Sequence, residues 1–109
     1  MNILMALSQL EITGAEVYAT TIADELIERG NKVYIVSDTL TTPTKAEYIK
    51  LEFNKRSLLK RIEHIKFLYN LIKEKDIQIV HAHSRASSWS CQVACKLAGI
   101  PLITTTHGR

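Results

Sequence analysis

The chain has 109 residues, 46% hydrophobic and 23% charged, with a formal net charge of +3. That suits a single globular domain with a modest core, and no apolar run approaches the roughly 20 residues that span a bilayer. A nucleic-acid partner is not expected, because no aromatic interleaving or reading motif accompanies the basic residues.

The amino terminus, Met1-Asn2-Ile3, has no basic region and no cleavage site, so a cytoplasmic start is expected rather than a signal peptide. Asn2 to Leu7 (NILMAL) reads as a first strand, and Ser8 to Gly14 as the loop leaving its carboxyl end. A helix is predicted from about Ala15 to Arg29, with an apolar stripe of Ala15, Tyr18, Ala19, Ile22, Ala23, Leu26 and Ile27. Glu16 falls in its first turn, where the helix dipole favours negative charge. Gly30 is the expected C-cap, and Val33 to Ser37 the second strand.

Thr39 to Thr44 is a polar connection. Ala46 to Phe53 fits either a short third strand or a helix start, with the balance toward extended. Ser57 to Lys75 is predicted as an amphipathic helix. Leu58, Ile62, Ile65, Tyr69 and Ile72 lie on one face, widened by Leu59, Leu68 and Leu71. Ile77 to Ala82 and Leu102 to Thr106 are continuous apolar or β-branched runs, as in parallel strands covered on both faces. Between them a helix is predicted from about Ser87 to Ala98. Gly99 follows it where a left-handed cap is wanted, and Pro101 blocks its return to helix. The order is strand, helix, strand throughout, which predicts an α/β fold. We expect a Rossmann-like, doubly wound parallel sheet in three αβα layers, one domain over residues 1–109. A sheet of this kind normally continues with another crossover, so a truncated domain or the front part of a longer protein is expected.

In open α/β sheets ligands bind outside the carboxyl ends of the strands, which directs attention to four places. Gly14-Ala15-Glu16 opens a helix soon after the first strand. Unpaired amides there suit an anion, and a glycine lets a phosphate approach closely. The plainer reading, a helix start with glycine for its turn, stays open. The loop has a single glycine, so the dinucleotide fingerprint is absent. Asp38 ends the second strand, where a ribose is held in dinucleotide enzymes, but without the glycines it is more often a turn former. His83-Ser84-Arg85 reads either as a polar lip on a substrate cleft or as plain loop hydrogen bonding. His107-Gly108 puts an imidazole beside room for a ligand, with a strand-end histidine facing solvent as the alternative. No metal site is expected: His81 and His83 at a strand end and Cys91 and Cys95 on a helix rarely converge. The C-x-x-x-C spacing suits two core-facing residues better than a disulfide. Basic residues concentrate between Lys45 and Lys75, including Lys55, Arg56, Lys60 and Arg61. Such a helix either lies on an anionic membrane or is a solvated cover for the sheet.

NILMAL, then ITGAE, then ELIERGNKVYIVSD, IVHAHS and a strand ending TTTHG together resemble the amino-terminal domain of GT-B retaining glycosyltransferases, known as glycosyl transferase group 1 or family 4. The resemblance covers nearly the whole chain, least clearly over Leu40 to Lys75. It implies an acceptor-side domain facing a donor-binding, carboxyl-terminal domain that this sequence lacks. It also implies a nucleotide-sugar as co-substrate with no further cofactor, and a glycan or lipid-linked acceptor. By the same likeness, Gly14, Ala15 and Glu16 approach the donor diphosphate, with Thr13 where the family usually has another glycine. His107 matches the histidine near the reaction centre, and His83 and Ser84, with Arg85 next to them, the loop on the acceptor side. The expected setting is cytoplasmic, at the inner face of the membrane, in cell-envelope polysaccharide or lipopolysaccharide synthesis. The alternative is a non-catalytic Rossmann or flavodoxin-like ligand-binding module.

Overall fold

Every residue from Leu4 to Ala6 is fully buried, and their side chains alternate between two separate cores. This is the first strand, β1 (Asn2–Ala6). The computed structural model describes residues 1–7, 14–40, 42–51, 58–83 and 85–104. After β1 come α1 (Gly14–Glu28), β2 (Lys32–Ser37), β3 (Glu47–Lys50) and α2 (Leu58–Glu74), then β4 (Ile79–Ala82), α3 (Arg85–Ala98) and β5 (Leu102–Thr104). The five strands form one parallel sheet in the order β3-β2-β1-β4-β5. The chain builds outward from β1 to β3, then returns beside β1 to start β4. The strand order reverses there, and the carboxyl ends of β1 and β4 flank the resulting crevice.

The layers follow from parity along the strands. Leu4, Ala6, Val36, Val80 and Ala82 pack with Leu68, Leu71 and Ile72 of α2 and with Cys91, Ala94 and Cys95 of α3. Ile3, Met5, Leu7, Val33 and Ile35 pack on the other side with Ala19 and Ala23 of α1. The expected three-layer α/β fold is therefore present. On the α1 face the β5 end stays open among the described residues: Ile103, in register with His81, is 48% exposed. Of the stretch Ala46 to Phe53, Glu47–Lys50 forms the short edge strand β3, mostly exposed, which explains its weak sequence signal, and Glu52 and Phe53 lie outside the described residues.

Each helix ends in a left-handed residue. Gly30 (φ 94°) and Gly99 (φ 75°) sit where caps were predicted. Behind Gly30 the amides of Gly30 and Asn31 donate to Ile27 O and Leu26 O, the paired pattern of a Schellman cap. At α2 the same position is filled by Asp76 (φ 54°), with Ile77 N donating to Ile72 O at 2.9 Å. Asn2, the polar residue that opens β1, donates through its side-chain amide to Lys75 O and Asp76 O and so ties that helix end to the sheet.

The α1 stripe packs as predicted through Ala19, Ile22, Ala23, Leu26 and Ile27 except at Tyr18, and the α2 face is rotated. Tyr18 was placed on the packing stripe of α1 but is 47% exposed. The fully buried residues Ala19 and Ala23 bring the helix close to the sheet on alanines, leaving the larger ring on the flank. In α2 the buried face is His64, Leu68, Leu71 and Ile72, while Ile62 and Leu59 are exposed. The apolar residues of α2 are spread widely around the helix between charged ones, so no single stripe fixes which side faces the sheet. α3 also begins two residues earlier than predicted.

Cys91 and Cys95 are both free and buried, as their spacing suggested. Burial pushes the Cys91 thiol far up and Cys95 up to about 11. A thiol whose pKa is raised by folding contributes its full stabilisation below the unfolded value near 9.0, and loses it as the pH rises toward the folded value. Native protein at pH 8 should therefore leave both thiols unmodified by iodoacetamide, with two alkylations appearing on unfolding. Its melting temperature should fall between pH 9 and 11. Rapid native alkylation of either residue would show that this helix face is not buried.

Candidate functional site

The crevice between the carboxyl ends of β1 and β4 collects most of the predicted residues that are described. Gly14 and Ala15 are the first two residues of α1, so their amides belong to the turn that has no preceding helical carbonyls to bond. His83 follows β4 directly, is fully buried, and its amide donates to Ala6 O at 2.8 Å, which locks it beside the end of β1. Arg85 is the first residue of α3. Ser84, Lys55, Arg56, His107 and Gly108 lie outside the described residues.

Parity decides which way the strand-end histidines turn. Val80 and Ala82 belong to the core under α2 and α3, so His81 takes the opposite face. There its ring lies 3.9 Å from that of His83, centroid to centroid and tilted by 37°. Tyr18 of α1 meets His83 edge-on, at 6.1 Å and 69°. These three rings line one side of the crevice. Cys91 and Cys95 are on the other side of the sheet. Among the described residues, no group of three or more His, Cys, Asp or Glu is placed to hold a metal ion. The Tyr18 contact was missed in the sequence because the ring had been assigned to the core.

A second feature had no sequence signal at all. The β2–β3 connection is fastened along α1 by three carboxylates spread over about three turns. Glu16, fully buried, accepts from Thr42 N at 2.9 Å and from the Thr42 hydroxyl. Asp24 accepts from Thr44 Oγ1 at 2.6 Å and Lys45 N at 2.7 Å. Glu28 pairs with Lys45 Nζ at 2.9 Å, which raises the Lys45 pKa. At the start of the same connection, Ser37 Oγ donates to Thr39 O at 2.6 Å. The Tyr48 phenol points at Ser37 O and Asp38 O, and burial raises its pKa. Asp38 is buried at the end of β2. The β2–β3 connection is thus fixed in advance against α1 by side-chain hydrogen bonds.

Comparison with known proteins agrees with this fold. The family described as Glycosyltransferase Family 4 matches residues 12–109. UDP-Gal:alpha-D-GlcNAc-diphosphoundecaprenol alpha-1,3-galactosyltransferase of Escherichia coli is 31% identical over 74 residues, 67% of this chain and 19% of that enzyme. A glycosyltransferase from Rickettsia africae ESF-5 superposes with a TM-score of 0.85 at 26% identity, covering 99% of this chain and 30% of its own. A lipopolysaccharide outer core galactosyltransferase, at 17% identity, shares the fold with a TM-score of 0.77, covering 98% of this chain and 33% of its own. The chain thus spans about a third or less of the length of these relatives.

Replacing Asp24 by Ala removes the acceptor for two donors of the connection. A hydrogen bond to a charged group contributes about 1.5–3 kcal/mol when shielded and less at a half-exposed site such as this. Urea unfolding should show a loss of about 1 kcal/mol for Asp24→Ala and a smaller loss for Asp24→Asn. An unchanged midpoint for the alanine variant would mean the fastening at Thr44 and Lys45 contributes nothing.

Proposed function

The chain belongs to glycosyltransferase family 4, and from that premise we propose that it is the acceptor-side half of a retaining transferase. The enzyme moves a sugar from a nucleotide-sugar to a glycan or lipid-linked acceptor. The match over residues 12–109 carries the reading. The crevice at the strand-order reversal supports it, since that is where sheets of this architecture take their ligands.

Each residue then has a role set by its chemistry. The amides of Gly14 and Ala15, at the positive end of α1, receive donor phosphate oxygens. Glu16 belongs to the same turn, with its carboxylate committed to Thr42. His83, with Ser84 and Arg85, lines the acceptor side, and the exposed edge of Tyr18 beside it offers an apolar surface to a sugar ring. His107 contacts the reacting sugar. The nucleotide is held by a second domain, and the energy of that remote contact organises the transition state. We assign the acceptor to the envelope-glycan class because the Escherichia coli relative is named for a diphosphoundecaprenol-linked substrate.

These 109 residues alone should not transfer sugar. Incubation with a panel of nucleotide-sugars and acceptors tests this, and turnover above background would contradict the half-catalyst reading. In the full-length protein His107→Ala should lower turnover by ~10² to 10³, the value of a lost transition-state hydrogen bond, with the fold intact. An unchanged rate would remove His107 from the reaction.

Access to a lipid-linked acceptor suggests membrane docking at the cytoplasmic face. Among the described residues no helix is long and apolar enough to cross a membrane. The surface at the start of α2 combines exposed Leu59 and Ile62 with Lys60, and Arg61 lies 5.4 Å over the half-exposed ring of Trp89. Lys55 and Arg56 precede it in the sequence. Each basic residue near an anionic surface contributes ~1 kcal/mol, screened within a Debye length. Glutamine at Lys55, Arg56, Lys60 and Arg61 should reduce binding to anionic liposomes, most at low salt, with helix content unchanged by circular dichroism. If the unmodified protein ignores such liposomes at low salt, α2 is simply a solvated cover.

A further inference from the structure

We infer that Glu16 is a positioning residue, whose buried carboxylate fixes the opening turn of α1 against the β2–β3 connection and so holds the anion-receiving amides in place. The inference rests on the proposed donor contact at Gly14 and Ala15. Three observations lead to it. Glu16 is fully buried, so it presents no charge to solvent at the crevice. It accepts from both the backbone amide and the hydroxyl of Thr42, a residue 26 positions away. And the connection it holds is fastened independently further along, at Asp24 and Glu28, so the contact at Glu16 controls the end nearest the crevice.

The physical consequence is preorganisation. Asp24 and Glu28 lie two and three turns along α1 and hold Thr44 and Lys45 against the helix without help from Glu16. Losing Glu16 therefore frees Thr42 and the first turn locally while the rest of the fastening persists. A ligand that needs that turn ordered must then supply the ordering itself, which weakens its binding. Gln at position 16 keeps an acceptor for Thr42 N, and its amide can donate to the Thr42 hydroxyl. It should preserve the link without the charge.

The test uses the full-length protein with Glu16→Ala, Glu16→Gln, Thr42→Val and Thr42→Ser, read by amide exchange and by calorimetric binding of UDP-galactose. Glu16→Ala should speed exchange at residues 14–17 and 42–46 at least tenfold, and weaken UDP-galactose about tenfold. Thr42→Val should do so to a lesser degree. Glu16→Gln and Thr42→Ser should stay within about threefold of the unmodified protein. A lower melting temperature with unchanged exchange at these segments, or with unchanged affinity, would reduce Glu16 to a structural residue and overturn the inference. Equal damage from Glu16→Gln and Glu16→Ala would also overturn it, because the charge rather than the link would then matter. If the unmodified protein binds no UDP-galactose, the donor reading fails separately, and the exchange data decide whether Glu16 holds the turn.

Discussion

β1 has no exposed face, and that constraint organises the molecule. A strand with Leu4, Met5 and Ala6 all fully buried must be covered by helices on both sides and flanked by strands on both edges. The sequence supplies α1 for one face and α2 with α3 for the other. Because connections between parallel strands are right-handed, chain leaving β1 toward β2 and chain returning to β4 must pass on opposite faces. The crevice where the two halves part follows from burying β1 completely.

That crevice is where the polar and aromatic groups gather. Its floor is set by backbone, with His83 N on Ala6 O, and one wall by the ring cluster of His81, His83 and Tyr18. The β2–β3 connection lies against α1 and buries little apolar surface beyond Ala46. It is held instead by Glu16, Asp24 and Glu28, each reaching across to a donor in Thr42, Thr44 or Lys45. A rigid sheet edge beside a hydrogen-bonded connection suits a reaction in which binding energy is used to orient two large polar substrates. The proposed function gives that geometry its chemistry, with one substrate bringing phosphates to a helix terminus and the other hydroxyls to a lip of histidines.

Much of this was legible in the sequence because hydrophobic periodicity and capping are local. The strands β1, β2, β4 and β5 and the three helices fell where their periods put them, although β5 is not covered on both faces, and Gly30 and Gly99 marked two helix ends by their left-handed backbone. What failed was orientation. Tyr18 and Ile62 are apolar residues on helical stripes, yet which part of a wide stripe meets the sheet depends on close approach over Ala19 and Ala23 and on packing between α2 and α3. β3 was ambiguous because an exposed edge strand lacks the apolar run that marks its buried neighbours. The Glu16–Thr42 link was invisible for a different reason. Acid in a first helical turn has a sufficient local explanation in the helix dipole, and nothing in the sequence points to a partner 26 residues away.

The proposed function places the donor phosphates in the crevice between β1 and β4, at the first turn of α1. A crystal structure of the full-length protein with its nucleotide-sugar donor bound tests it most directly. The account predicts diphosphate oxygens about 3 Å from the amide nitrogens of Gly14 or Ala15, with the sugar directed toward His107. A nucleotide-sugar whose phosphates lie away from this turn, with α1 making no contact to them, would contradict it.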